Sequence, residues 1–384
     1  MTSLDVTFAG LRLRNPIVIA SAPPTESLDN IRRCADAGAA AVVTKTMAEF
    51  PAAEFPLGAR RAHVDRSGLW ALSTFRRETL TVAEGARLIE QAVASVDIPI
   101  IASVGALTME PEAWTTASRT AQDAGASAIQ VDLFYSPHPR CSPDNIERLF
   151  QVLTALSSTV ALPVLPKLNI DLPPHYIAPL LQHHGIEGVF AIDSLRTPVP
   201  LDLRHGGHAL TRYVPNAPET SRFGTWQKPV TLQYATTLAQ HSALEICAGG
   251  GLMNGWDAAE AIMVGATTTQ FATAVIRYGF SRITKIIDQL RRCMRDNGFT
   301  SVDDMRGAAL RRMATTEAQV EFVDVKAVVD LDACINCGLC TDLVFCPDIS
   351  LVGNEVQIRD HCDGCGLCVA VCPPRVSALR LVEQ

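Results

Sequence analysis

Eight of the twelve cysteines fall between Cys334 and Cys372, in two runs of nearly identical design. Residues 334–347 read CINCGLCTDLVFCP and residues 362–373 read CDGCGLCVAVCP. Each is C-x₂-C-x₂-C followed by a fourth cysteine and a proline. Three thiolates on one tight loop can reach three corners of a cubane, while the fourth points away and completes a second one. The spacing therefore predicts two 4Fe–4S clusters, one held by Cys334, Cys337, Cys340 and Cys372, the other by Cys362, Cys365, Cys368 and Cys346. Five residues separate Cys340 from Cys346, where the second run has three. The two extra residues are expected to loop out before Pro347, changing local shape and potential without loss of the cluster. A pair of zinc sites is the alternative, since C-x₂-C pairs also suit zinc, but it explains the two trailing Cys-Pro steps poorly. Cys34, Cys141, Cys247 and Cys293 stand alone, so the chain does not read as a disulfide framework.

Charge divides the chain at the same place. The net charge is −7, and from Asp330 onward eight acidic residues face three basic ones, leaving residues 1–329 nearly neutral. The composition break near residue 325 gives the expected organisation: a large domain over 1–300, a linker over 301–324 and a small acidic domain over 325–384. A hydrophobic content of 48% supplies a large core for the first of these. A net negative chain is not expected to bind nucleic acid. No apolar run approaches the roughly 18–20 residues that span a bilayer, and the start MTSLDVTFAG has neither the basic nor the apolar region of a signal peptide. The expectation is a soluble, cytoplasmic protein without a membrane or nucleic-acid partner.

The first 300 residues alternate short β-branched runs with helix-length segments. The candidate strands are 15–21, 40–46, 98–105, 127–133, 162–168, 188–192, 244–250 and 267–273. Each is apolar on consecutive residues, as in strands covered on both faces of a parallel sheet. Helices are predicted over 81–95, 111–124, 144–156, 256–264 and 281–297; the second opens with Pro111 and stops before Gly125. Eight such units predict an α/β fold, a (β/α)₈ TIM barrel; an open doubly wound sheet would normally use fewer strands. The opening DVTFAGLRLRN predicts a hairpin around Ala9-Gly10 that closes the barrel floor. The long segment from Ser194 to Pro229 follows the sixth strand and would emerge where barrel active sites lie. With Arg196, Arg204, Arg212, Arg222, His205 and His208 against Asp202 and Glu219, it reads either as a solvated loop or as a lid that attracts an anionic or carbonyl-rich substrate.

Two clusters form a wire, and a wire needs a redox group to charge. The segment CAGGGLMNGWDAAEAIMVGATTTQFATAV offers the place. Consecutive glycines after the seventh strand let backbone N–H groups close on a phosphate, and phosphate sites in barrels often use the loops after strands seven and eight. A simple turn is the plain alternative.

The runs NPIVIASAPPT, AAVVTKT, LPVLPKLN and GGGLMNGWDAAEAIMVGATTTQFATAV resemble the flavin barrel of the dihydroorotate dehydrogenase family. With the two-cluster ferredoxin-like domain appended, the whole chain resembles the FMN and iron–sulfur subunits of dihydropyrimidine dehydrogenases. The resemblance implies FMN in the barrel mouth, electrons arriving through two 4Fe–4S clusters, and reduction or formation of a carbon–carbon double bond conjugated to a carbonyl or amide. By motif, Ala20 and Ser21 would lie along the isoalloxazine ring. Lys45 and Lys167 would reach its polar edge and ribityl chain, as an anionic reduced flavin requires; a snorkelling rim lysine is the alternative for either. Gly224, Gly250, Gly251, Ala272 and Thr273 match the phosphate side. Cys141 in CSPDN matches the catalytic acid that protonates the carbon next to the one receiving hydride from flavin N5; as a lone cysteine it could instead be a small buried hydrophobe.

The chain departs from the family where the substrate would sit. Asp132 stands in place of an Asn that contacts flavin and substrate, the loop before Cys141 is cut down to HPR, and the fifth strand ends Lys167-Leu168-Asn169-Ile170-Asp171. Asp193-Ser194 replaces an Asn-Thr pair. Asn169, Asp193 and Ser194 are the candidate substrate contacts. An ionised carboxylate only accepts hydrogen bonds where an amide also donates, so a substrate other than uracil or thymine is expected, with ordinary dihydropyrimidine dehydrogenase activity and an electron-transfer subunit as the alternatives. No G-x-G-x-x-G follows an early strand, so an NAD(P)H-oxidising flavoprotein subunit or a ferredoxin would donate electrons, docking on the acidic domain. A homodimer through the barrel is implied by the resemblance.

Overall fold

The computed structural model describes residues 2–49, 62–64, 70–73, 79–135, 143–198, 200–209, 219–313, 319–321, 323–342 and 346–384. The chain forms two compact units, Met1–Arg312 and Met313–Gln384.

The first unit is a closed barrel of eight parallel strands. These are β1 (Ile17–Ile19), β2 (Ala41–Val43), β3 (Ile100–Val104), β4 (Ala128–Asp132), β5 (Val164–Leu168), β6 (Gly188–Ala191), β7 (Glu245–Gly249) and β8 (Thr268–Phe271). They match the eight expected strands in order. In β1–β6 and β8 every residue is buried, and in β7 all but Glu245, because one face lines the barrel interior and the other lies under helices. The outer helices include α1 (Leu28–Asp36), α2 (Val82–Val93), α3 (Pro111–Asp123), α4 (Pro143–Thr159), α5 (Pro174–His183), α6 (Lys228–His241), α7 (Gly255–Met263), α8 (Thr273–Tyr278) and α9 (Ser281–Asp296). Local chemistry sets their ends. Thr81 caps α2 by accepting from Glu84 N while the Glu84 carboxylate takes Thr81 N, a reciprocal capping box.

The N-terminal hairpin pairs Val6–Phe8 antiparallel with Leu11–Leu13. Ala9 and Gly10 both take positive φ, +46° and +77°, the turn geometry that matches strand twist. Phe8 is fully buried and meets Phe190 of β6 edge-on, ring centroids 5.6 Å apart. This contact closes the barrel floor, as expected.

The segment expected as a linker over 301–324 is divided. Val302 and Met305 are buried on a short helix against α7, so apolar burial carries the first unit through Arg312. In the second unit, Val325–Val329 pairs with Leu379–Glu383, Ile349–Val352 pairs with Glu355–Ile358, and Leu367–Val371 is a short helix.

Candidate active site and cluster sites

The C-terminal ends of the barrel strands carry two polar clusters that lie side by side. Asp132 ends β4 and lies in register with Lys167 on β5. The Lys167 ammonium is 2.9 Å from an Asp193 carboxylate oxygen, both side chains largely buried. Asp193 follows β6, and its other oxygen accepts from the Ser194 N–H at 2.6 Å and hydroxyl at 3.3 Å. The Ser221 hydroxyl continues the chain to Ser194 at 2.8 Å. Asp132 accepts from the Thr46 hydroxyl at 2.6 Å and from Phe134 N–H at 3.1 Å. Thr46 in turn lies 3.0 Å from the hydroxyls of both Ser21 and Ser103.

These charges shape one another. Burial pushes the Asp132 carboxyl above the usual carboxylate range, and the negative Asp193 adds to this against the pull of Lys167, Thr46 and Phe134. Burial pulls Lys167 down, but the charges of Asp193 and Asp132 outweigh it and the ammonium titrates above its ordinary value. Lys167, expected to stand at a cofactor edge, is thus paired with Asp193, expected to face substrate.

The second part of the mouth is a glycine cradle. Gly250 and Gly251 take φ of +112° and +81°, which side chains rarely adopt. A Cβ on Gly250 would stand 2.7 Å from the Gln227 carboxamide nitrogen, and one on Gly251 would stand 2.4 Å from the Lys228 backbone nitrogen. Their N–H groups have no acceptor among the described residues. Gly224 opens the 225–227 turn, and Gln227 donates to the Asp193 carbonyl at 2.5 Å, joining cradle and triad into one site. Ala272 caps α8 and Thr273, buried, begins it. Lys228 is held by Asp257 at 2.7 Å and by Glu260.

Ala20 is buried at the end of β1, its N–H on Phe271 O at 3.1 Å. Lys45 is buried at the end of β2. Asn169 is buried, and its side-chain oxygen accepts from Asp171 N–H at 2.9 Å. Cys141 and Arg212 lie outside the described residues. The 194–229 segment contributes strands Leu195–Pro198 and Glu219–Phe223 to a four-stranded antiparallel sheet with Ala62–Val64 and Trp70–Ser73. Arg196 on this sheet donates to the Phe134 carbonyl and lies 4.8 Å from the Phe134 ring, so the sheet is tied to the turn after β4. Arg204, His205 and His208 are exposed, His205 on Asp202 at 2.8 Å. Sequence reasoning missed Thr46, Ser103, Gln227 and the 62–73 strands. The polar Thr44-Lys45-Thr46 ending of an apolar strand was the available signal for the first.

In the second unit the eight cysteines line two cavities. Cys334, Cys337, Cys340 and Cys372 line one cavity, and Cys346, Cys362, Cys365 and Cys368 line another. Burial pushes the Cys340 thiol up, and the neighbouring Cys334, Cys337 and Cys372 add to it. The same holds for Cys368 among Cys362, Cys340 and Cys346. Among the described residues no three His, Cys, Asp or Glu side chains converge closely enough to hold one metal ion. Residues 343–345, where the longer spacing falls, lie outside the described residues.

A family model described as dihydroorotate dehydrogenase matches residues 142–294, and one described as a 4Fe-4S dicluster domain matches residues 326–373. The barrel is thus similar to dihydroorotate dehydrogenases over those residues, and the second unit to 4Fe-4S dicluster domains. The NAD-dependent dihydropyrimidine dehydrogenase subunit PreA of Escherichia coli K12 is 25% identical, covering 99% of this chain and 95% of the relative. The dihydroorotate dehydrogenase B (NAD(+)) catalytic subunits of Pyrococcus abyssi and Thermoplasma volcanium are 25% and 26% identical, covering 80% and 81% of this chain and 99% and 100% of theirs. The relatives it matches are dihydropyrimidine and dihydroorotate dehydrogenases. Family and cysteines together support FMN and 4Fe–4S clusters as its cofactors. The barrel residues fit a flavin phosphate: the cradle offers side-chain-free backbone and N–H groups without an acceptor among the described residues. No helix among the described residues is long and apolar enough to cross a membrane.

Proposed function

We propose that the chain reduces, or in reverse forms, a carbon–carbon double bond conjugated to a carbonyl or amide, drawing electrons through its two iron–sulfur clusters. The observation that carries this reading is the single barrel mouth in which the glycine cradle, Gln227 and the Asp132–Lys167–Asp193 triad are hydrogen-bonded or in register. FMN bound in this mouth would supply hydride chemistry. Gly224, Gly250, Gly251, Ala272 and Thr273 would hold its phosphate side, and Ala20, Ser21, Lys45 and Lys167 its ring and ribityl side. Cys141, two residues before α4, gives the proton to the neighbouring carbon. Asp193, Ser194 and Asn169 face the substrate. Asp132 and Asp193 stand where amides would read a pyrimidine ring, which favours a substrate other than uracil or thymine. The sheet that Arg196 ties to Phe134 covers the mouth. The electron donor is an NAD(P)H-oxidising flavoprotein or a ferredoxin, by analogy with the subunit role that the PreA name states for that relative.

The test begins with an anaerobic absorption spectrum and iron, sulfide and flavin assays. About eight irons and one FMN per chain justify a screen of unsaturated amides and acids, with uracil and thymine included. Cys141→Ser is expected to abolish most turnover while leaving cofactor content intact. Unchanged turnover in Cys141→Ser removes its role, and robust uracil or thymine reduction overturns the substrate reading. Iron without flavin leaves the electron-carrier alternative.

A further inference from the structure

The hydroxyl network at the mouth has an arrangement that the proposed hydride chemistry does not by itself require. One lysine serves two buried carboxylates. Asp193 takes the direct contact with Lys167 and two further hydrogen bonds from Ser194. Asp132, 3% exposed, has only the Thr46 hydroxyl and the Phe134 N–H as bonded partners among the described residues. A buried carboxyl without a directly bonded cation balances its charge most cheaply by keeping a proton.

The hydrogen bonds accommodate that proton in two equivalent ways. With Asp132 ionised, Thr46 donates to it and receives from Ser21 or Ser103. With Asp132 protonated, the carboxyl O–H donates to Thr46, which turns its own hydrogen to Ser21. The separations of 2.6 Å and 3.0 Å are hydrogen-bonding distances in either sense. The chain runs outward, from Asp132 and Thr46, both buried, to Ser21, partly exposed at the end of β1. Among the described residues, the charged groups on the surrounding elements are Lys167 on β5, Asp193 after β6, Lys45 beside Thr46, and Arg196, which reaches Phe134 from the antiparallel sheet.

We propose that Asp132 is a proton store for the barrel mouth and that Thr46 and Ser21 form the wire that discharges and refills it. On discharge the Asp132 O–H bond breaks and its proton bonds to Thr46 Oγ1. The Thr46 proton passes to Ser21 Oγ, and the Ser21 proton goes to a basic atom of the molecule in the mouth. No electrons move within the wire. Asp132 is left as a carboxylate beside Lys167, and solvent refills it by the reverse path. Burial, which raises the affinity of Asp132 for its proton, supports the stored state. This inference rests on the redox reading above, in which electrons entering through the clusters need protons to follow. Asp132 and Thr46 act through Ser21 and are positioning residues.

Infrared spectroscopy of the full chain as purified tests this without turnover. A protonated-carboxyl C=O band is expected at neutral pH and is expected to vanish in Asp132→Asn. In Asp193→Asn, Asp132 becomes the sole carboxylate for Lys167, ionises, and the band is again lost; a merely structural Asp132 would not respond so. Thr46→Val is expected to retain the band but slow its shift on transfer to ²H₂O by about a hundredfold, the scale of a lost positioned proton transfer. Absence of the band in the wild-type chain, or its survival in Asp132→Asn, overturns the store. Unchanged exchange in Thr46→Val overturns the wire. Failure of the substrate screen with the band present defeats the reaction reading alone.

Discussion

At Gly251 a single hydrogen atom decides whether the cradle can exist. Its φ of +81° already costs an L-residue about 1–2 kcal/mol, and an added Cβ would stand 2.4 Å from the Lys228 nitrogen. Gly251→Ala is therefore expected to lower the thermal midpoint and to reduce bound flavin per chain below the wild-type level, both read on purified protein; normal flavin content would show that the cradle does not hold it. The triad makes a different kind of prediction. Asp132→Asn or Asp193→Asn alone leaves Lys167 one carboxylate, whereas the double variant strands a buried ammonium, a loss of about 3–5 kcal/mol. Denaturant titrations are expected to show strong non-additivity, and an additive result would mean that the carboxylates do not share the lysine. The sign of the pH effect follows from Asp132. Its folded carboxyl binds a proton more tightly than the unfolded one, so the native state loses relative stability as pH rises from the ordinary carboxylate range through the raised value. Asp132→Asn removes that loss, and its melting temperature should gain on the wild type's as pH increases.

Elements differ in how plainly the sequence announces them. The eight barrel strands were legible because two-sided burial forces consecutive apolar residues, and Val18 or Ile101 has no polar face to offer. Helices α2 and α3 carried cap and proline signals at their starts. Helix α6, KPVTLQYATTLAQH, mixes polar and apolar residues without a clear stripe, and it forms where Thr231 can bond the Gly250 carbonyl at 2.7 Å. The N-terminal hairpin was legible through Ala9-Gly10, and it makes a stability prediction. Phe8→Ala opens a hole against Phe190 at the barrel floor and is expected to cost about 3–5 kcal/mol with cofactor content unchanged, since the floor lies at the opposite end from the mouth. Calorimetry and flavin assays on the same sample check both halves.

At the scale of the molecule, the two units stand on different physics. The barrel rests on one extensive apolar core. Among the described residues, the second unit's buried cluster is Ala327, Cys340, Ile349, Val356, Cys368 and Leu379, two of the six being cysteines. So small a core does not sustain a domain of this size without help, and binding of metal clusters there is also folding free energy. Removing iron with a chelator is expected to unfold residues 313–384 while the barrel keeps its own cooperative transition. A single unchanged transition after iron removal would show that the second unit folds without clusters.

The sequence alone determined the strand count, the floor hairpin and the two close-spaced cysteine runs, because periodicity and short spacings are local and the chain cannot evade them. It also placed polar residues at the strand ends. Which of those residues meet was decided by barrel closure. Asp132, Lys167 and Asp193 are far apart in the chain, and only the register of neighbouring strands brings one lysine between two carboxylates. Likewise the sheet joining Trp70–Ser73 to Glu219–Phe223 exists through pairing across nearly 150 residues, a contact whose energy is absent until the barrel has formed beneath it.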